Sequence, residues 1–251
     1  MIVRIKLLVA VLFLSAIVFA QSDKNEITIF MIGNSTMADK PYADGNPEKG
    51  WGQVFPLYFK EGIKIENHAV NGRSTKSFID EGRWDVVLER IKPGDYVIIE
   101  FGHNDEKKKD PKRYAAPRKG YRTNLIKFIT ETRAKGGTPV LATPIVRRRF
   151  DENGNFYDTH GEYPVVVREL AKEYNVPLLD LHERTEQMLR EYGKELSKKL
   201  FLHILPVEYK SLPEGRTDNT HLSACGAFKV CDLAVEEIRS LLPELVKWLK
   251  E

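Results

Sequence analysis

Near the C-terminal end of this 251-residue chain stands Asp218-Asn219-Thr220-His221, directly before an apolar helical pattern. An Asp and a His three residues apart can be held by one loop. The carboxylate then fixes the imidazole tautomer and stabilises the imidazolium, while the other ring nitrogen takes the proton of a serine. A serine placed to use such a base lies in Gly33-Asn34-Ser35-Thr36-Met37-Ala38-Asp39, after an apolar run. Such a base matters because a free serine hydroxyl is a weak nucleophile. Two further segments offer N–H donors. Asn71-Gly72-Arg73-Ser74 carries a glycine that lets the backbone turn sharply and point its N–H outward. Gly102-His103-Asn104-Asp105 carries the Asn104 amide. Taken singly, each piece has an ordinary alternative: a capping Asp with a surface His, a turn serine, a turn glycine, a loop asparagine. The other histidines, at 68, 103, 160, 182 and 203, lack the combination of a nearby Asp and a helix-preceding loop.

The elements that must position these groups follow from hydrophobic periodicity. Short β-branched runs alternate with amphipathic stretches, which predicts βαβ units around a parallel sheet. Strands are expected at 27–32, 64–70, 96–101, 139–145 and 176–181. The third and fourth are almost continuously apolar, as in strands buried on both faces. Tyr121, Leu125, Phe128, Ile129 and Thr132 recur at helical spacing before Gly136-Gly137. Pro164 opens another helix, and Ser223 is a good N-cap for the last, which Pro243 interrupts. The predicted fold class is α/β, a three-layer α/β/α sandwich with a five-stranded parallel sheet. In such sheets ligands bind beyond the carboxyl ends of the strands. Ser35, Gly72 and Asn104 follow the first, second and third expected strands, so all three fall at that edge.

The order of these blocks resembles that of the SGNH (GDSL-like) hydrolase superfamily. A Ser block follows strand one, a Gly block strand two and a G-x-N-D block strand three, and D-x-x-H precedes the last helix. The span from Gly33 to His221 covers most of the chain. Asn34-Ser35-Thr36-Met37-Ala38-Asp39, Asn71-Gly72-Arg73-Ser74 and Thr220-His221-Leu222-Ser223 resemble the rhamnogalacturonan acetylesterases. The resemblance implies a flavodoxin-like sheet and a serine esterase acting on acetylated polysaccharide, without metal or cofactor. It casts Ser35 as nucleophile, His221 as base then acid, and Asp218 as the residue that orients it. The oxyanion hole would be the backbone N–H groups of Ser35 and Gly72 and the Asn104 amide. One departure stands out, since the family usually has Asp where this chain has Asn34. No G-x-S-x-G elbow is present, which disfavours a typical α/β-hydrolase.

Composition sets the remaining bounds. With 42% hydrophobic and 30% charged residues the chain reads as globular. Arg4 and Lys6, the apolar run Leu7 to Phe19 and the small-residue ending Val18-Phe19-Ala20 read as an export signal over residues 1–20. The run is short for a membrane span, and an uncleaved anchor is the alternative. Residues 21–251 would then form one hydrolase domain, secreted or periplasmic. Losing Arg4 and Lys6 lowers the formal net charge of +3 by two, leaving no general argument for nucleic acid or membrane partners. Cys225 and Cys231 fall in one expected helix, about 9 Å apart along its axis, which predicts two core thiols and no disulfide. These cysteines and the scattered histidines form no zinc-ligand pattern.

Substrate clues are thinner. Arg147, Arg148 and Arg149 follow the fourth strand and could meet a uronate carboxylate, or be solvated or salt-bridged instead. Consecutive side chains diverge, so all three cannot face one ligand. Tyr42, Trp51 and Phe55 could stack on sugar rings, although Phe55 fits a core position better. The run from Lys107 to Lys112 reads as a solvated loop. Other acyl groups, as in a lysophospholipase or thioesterase, and a non-catalytic carbohydrate-binding protein are the competing functional classes.

Overall fold

A computed structural model describes residues 27–251, so the expected export signal lies outside the described residues. Five parallel strands form the central sheet in the order β2-β1-β3-β4-β5. They are β1 Ile27–Gly33, β2 Ile63–Asn67, β3 Tyr96–Glu100, β4 Thr138–Ala142 and β5 Leu178–Leu179. The helices are α1 Trp51–Val54, α2 Thr75–Asp80, α3 Arg83–Leu88, α4 Arg122–Ala134, α5 Glu162–Glu173, α6 Leu181–Leu196, α7 Ala224–Leu241 and α8 Pro243–Val246. Side chains alternate across a strand, and here each face meets its own core. Ile29, Met31, Ile98 and Val140 pack with Ala227, Val230 and Ile238 of α7. Phe30, Ile32, Val97 and Ile99 pack with Phe78, Trp84, Phe128 and Val167 on the other side. This is the expected α/β/α sandwich.

Several boundaries differ from the sequence-based expectation. Regular pairing of β2 ends at Asn67, three residues early. There the Asn67 side chain takes over the local bonding, donating from Nδ2 to the Met37 carbonyl (2.9 Å) and accepting from Ala69 N (3.2 Å). His68 and Val70 N–H still reach the carbonyls of Met31 and Gly33, so the chain keeps to the side of β1. The edge strand β5 shrinks to two residues, and β4 gives way after Ala142 to the loop that carries the arginines.

A second sheet was not foreseen. β6 Phe201–Ile204 and β7 Arg216–Leu222 pair antiparallel. Phe201 faces Leu222 but Leu202 faces Asp218, so Asn219, Thr220 and His221 are extra residues on β7. A bulge of this kind bends the strand and re-aims its side chains. Asp218 and His221 therefore sit on a bulged strand, not on the simple loop expected.

The two cysteines are both free, but only Cys231 is a core thiol; Cys225 is exposed. The helix begins at Ala224 and turns about 100° per residue, so a spacing of six puts the two side chains on different faces.

Candidate active site

In the order β2-β1-β3 the chain leaves β1 for one neighbour and later returns to pair on its other side, which opens a crevice at the carboxyl ends of β1 and β3. Gly33 closes β1 there. A side chain on it would place Cβ 2.7 Å from the Glu100 carbonyl oxygen of β3, so the residue before the serine turn must be glycine. In the turn that follows, Asn34 Oδ1 accepts from both Thr36 N and Thr36 Oγ1, each at 3.1 Å. This acceptor role is one an Asp carboxylate also performs, so Asn34 preserves the turn. The bulged strand arrives from the far end of the sequence. Asp218 Oδ1 accepts from Thr220 N (2.8 Å) and His221 N (3.0 Å), wrapping the bulge around its own side chain.

The result brings Ser35, Asp218 and His221 together. His221 Nδ1 lies 2.7 Å from Asp218 Oδ2, and His221 Nε2 lies 3.0 Å from Ser35 Oγ. Asp218 has only acceptors to offer, so Nδ1 carries the proton and Nε2 is free to accept from the serine hydroxyl. Burial alone would raise the pKa of Asp218, but bonds from the His221 ring and backbone outweigh it and hold the carboxyl well below its usual range.

Gly72 and Asn104 border the same cleft, of ≈ 440 Å³. Gly72 has φ +77°, a conformation that costs glycine little and other residues more. Ser74 then caps α2 in a reciprocal pair with Ser77, fixing the turn to the helix. Asn104 is buried, and its Nδ2 donates to the Arg73 carbonyl at 3.0 Å. An amide nitrogen carries two hydrogens, so one donor remains.

The three arginines part ways. Arg147 reaches the cleft, where it pairs with Glu106 and donates to Thr159 Oγ1 at 3.1 Å. Arg148 is only 7% exposed and turns inward, so it is not a substrate residue. Its guanidinium donates to Ser197 Oγ (3.0 Å), Asn219 Oδ1 (2.9 Å) and the Lys194 carbonyl, while its backbone N–H donates to the Asn219 carbonyl. It braces the bulge that carries His221. Arg149 is exposed and does not border the cleft. Lys107, in the charged stretch read as a solvated loop, is exposed but also borders the cleft. Trp51 and Phe55 are fully buried and packed edge to face, which removes both as sugar platforms. Tyr42 is exposed, lies under Lys49 and is no part of the cleft lining.

Sequence reasoning missed Lys40, Glu48, His103 and Arg216. Arg216 had a signal, because residues i and i+2 of a strand share a face and Asp218 is its i+2 partner. Glu48 had none, being 168 positions from Arg216. His103 borders the cleft yet is 3% exposed, and neither ring nitrogen has a protein partner. Burial holds its basicity well below the usual value, so the ring is neutral. Among the described residues, no group of three or more His, Cys, Asp and Glu side chains is arranged to hold a metal ion.

Two buried carboxyls lie beneath the site. Glu100 is fully buried, accepts from Trp51 Nε1 (2.8 Å) and shares the one Thr36 Oγ1 hydrogen (3.1 Å) with Asn34 Oδ1. Burial pushes it up to about 7 against those bonds. An Asp at position 34 would share the Thr36 hydroxyl with this acid, and Asn34 avoids the repulsion. Asp105 accepts from Thr75 N and Oγ1 through Oδ1, while Oδ2 is buried without a partner. Burial pushes it up to about 8. Both folded values lie above the ordinary ones, so the folded chain keeps protons that the unfolded chain has lost. The stability involved is present below about pH 4 and declines as pH rises through the window to 7–8. Glu100 alone accounts for about 3 kcal/mol of that decline. Glu100→Gln and Asp105→Asn are each expected to flatten the fall in urea-unfolding stability between pH 5 and 9. An unchanged slope in both variants would show that these acids are ionised throughout.

The sequence agrees with the geometry. The GDSL-like lipase/acylhydrolase family matches residues 31–226. The chain is 44% identical over 218 residues to the rhamnogalacturonan acetylesterase RhgT of Bacillus subtilis, covering 87% of this chain and 92% of that protein. It is 34% identical over 224 residues to the probable rhamnogalacturonan acetylesterase YesY of the same organism, covering 89% and 98%. The crystal structure of Bacillus subtilis YxiM superposes with a TM-score of 0.73 at 25% identity, covering 86% of this chain and 56% of that one. With its sheet order, serine turn and D-x-x-H bulge all of one pattern, the chain belongs to the GDSL-like lipase/acylhydrolase family and is a carboxylic ester hydrolase.

Proposed function

We propose that this chain is an exported carbohydrate O-acetylesterase that removes acetyl groups from rhamnogalacturonan. The observation that carries the mechanism is the bonded line Ser35 Oγ, His221 Nε2, His221 Nδ1, Asp218 Oδ2, with spacings of 3.0 and 2.7 Å. Ser35 attacks the acetyl carbonyl as His221 takes its proton, and Asp218 stabilises the imidazolium. The tetrahedral oxyanion forms against the N–H groups of Ser35 and Gly72 and the remaining Asn104 N–H. Donors fixed in advance act on the transition state without reorganising. His221 then returns the proton to the sugar oxygen as the C–O bond breaks, leaving acetyl-Ser35. Water, deprotonated by the same imidazole, attacks that ester and releases acetate.

The substrate class rests on the relatives and on charge. Lys107, Arg147 and Arg216 border the cleft, Arg147 being paired with Glu106 and the bordering carboxylate Glu48 with Lys40 and Arg216. A galacturonate carboxylate would meet Lys107 and compete with Glu106 for Arg147. Export follows from the residue 1–20 pattern and would bring the enzyme to a polymer that stays outside the cell.

Acetate release from acetylated rhamnogalacturonan beside acetylated xylan tests the reading. Release from the pectic polymer is expected to dominate. Arg147→Ala is expected to lower kcat/KM on the acidic polymer by about 10–100-fold, the loss typical of a hydrogen bond to a charged group. Its effect on a neutral acetylated sugar should be several-fold smaller. Equal losses on both, or release from xylan alone, would remove uronate recognition and leave a general acetylesterase.

A further inference from the structure

Along the Asp218 side of the cleft, where Glu48 and Arg216 border it, four charged side chains alternate in sign. Lys40 Nζ lies 2.8 Å from Glu48 Oε1, Glu48 Oε2 lies 3.0 Å from Arg216, and Arg216 lies 2.6 Å from Asp218 Oδ2. The last oxygen is the one that accepts from His221 Nδ1. The other end of the row reaches across the site, because Lys40 Nζ also donates to Asn71 Oδ1 at 2.5 Å. Asn71 precedes Gly72, so one ammonium touches both the turn that offers the Gly72 N–H and the row that ends on Asp218.

Lys40 is unusual for a lysine in being only 5% exposed. Burial lowers its basicity and Glu48 restores part of it. Its backbone is clamped as well: Lys40 N donates to Gln53 Oε1 (3.1 Å) and Gln53 Nε2 donates to the Lys40 carbonyl (2.9 Å). A flexible four-carbon side chain is thereby held in one place. Replacing such a pair by apolar residues of similar volume is often neutral or stabilising, so stability alone does not account for it.

We propose that Lys40, Glu48 and Arg216 form a positioning relay that holds the Asp218–His221 pair in register with the Gly72 turn. The proposal rests on the esterase reading of the site. Nucleophile and oxyanion donors must sit at fixed separation around one carbonyl, and a displacement of about 1 Å can cost 10²-fold. None of the three relay residues touches the reacting atoms. Lys40 sets the distance between the two halves, Glu48 carries it across, and Arg216 fixes the rotation of the Asp218 carboxylate.

Lys40→Met and the double variant Lys40→Met/Glu48→Met separate positioning from folding. On p-nitrophenyl acetate, Lys40→Met should lower kcat by about 10–100-fold with KM changed less than threefold. The double variant removes the stranded charge, so its Tm should return to within a few degrees of wild type while kcat stays low. Glu48→Gln should behave as Lys40→Met does. If kcat recovers together with Tm in the double variant, the row is structural and the relay is overturned. A Lys40→Met variant within twofold of wild-type kcat overturns it too. A wild-type chain inert toward both p-nitrophenyl acetate and acetylated polymers refutes the esterase reading itself, and the relay with it.

Discussion

Ser35→Ala is expected to lower kcat for acetyl-ester hydrolysis by about 10⁴–10⁶-fold, the range seen when one member of such a triad is removed. The reason lies in the 3.0 Å contact between Ser35 Oγ and His221 Nε2. Without that oxygen the base has no nucleophile to activate except water, and the acyl-enzyme route closes. The substitution removes a single atom from a half-buried position, and the turn around it is held by Asn34 and Thr36. Tm should therefore stay within a degree or two of wild type. Residual hydrolysis above water reflects the donors at Gly72 and Asn104, which are still in place. Stopped-flow hydrolysis of p-nitrophenyl acetate and acetate release from polymer both read the loss. Retention of more than about 1% of wild-type kcat would assign the nucleophile elsewhere.

The second large effect is expected at Asp218. Asp218→Asn should cost about 10⁴-fold in kcat, by loss of the imidazole tautomer. Here the neighbouring cation makes the substitution especially unfavourable. Oδ2 accepts from both His221 Nδ1 and Arg216, and Oδ1 accepts from two backbone N–H groups. All four partners donate, so an amide NH2 finds an acceptor only if the imidazole changes tautomer. With NH2 toward the imidazole, Nδ1 must become the acceptor, Nε2 takes the proton, and the Ser35 hydroxyl loses its base. With NH2 toward the backbone, the bulge that aims His221 loosens. A fall in kcat with Tm little changed is the expected signature of an altered tautomer, whereas a lowered Tm would mark a loosened bulge. Activity within tenfold of wild type would mean that Asp218 only shapes the bulge.

How much of this was legible in the sequence can be followed residue by residue. Ser35, Gly72 and Asn104 could be placed because each follows an expected strand, and the carboxyl edge of a parallel sheet gathers such positions. Asp218 and His221 were legible because the bond between them is local, spanning four residues, whereas the bulge depends on pairing with β6 and was not. The direction of each arginine was not. Arg147 and Arg148 differ by one position, yet one reaches the cleft and the other braces Asn219, and only the path of the loop after β4 decides which. The β6–β7 pair was missed because β7 reads Arg-Thr-Asp-Asn-Thr-His-Leu, with no alternation of apolar residues. Its bonds are made to a segment that periodicity did not mark. Asn34 reads from the sequence only as a departure from the usual Asp; that its Oδ1 shares Thr36 with Glu100 while its Nδ2 is buried without a partner is visible only in the structure.

The sequence by itself determined the layered α/β architecture, the family, and the residues that face one another across Ser35 and His221, since these depend on periodicity and on short motifs. Only the tertiary structure decided which charges lie behind them. Glu48 and Arg216, which pair in this row, lie 168 positions apart. A charge has no periodicity to announce its partner, and its energy depends on burial and distance, which exist only once the chain has closed on itself.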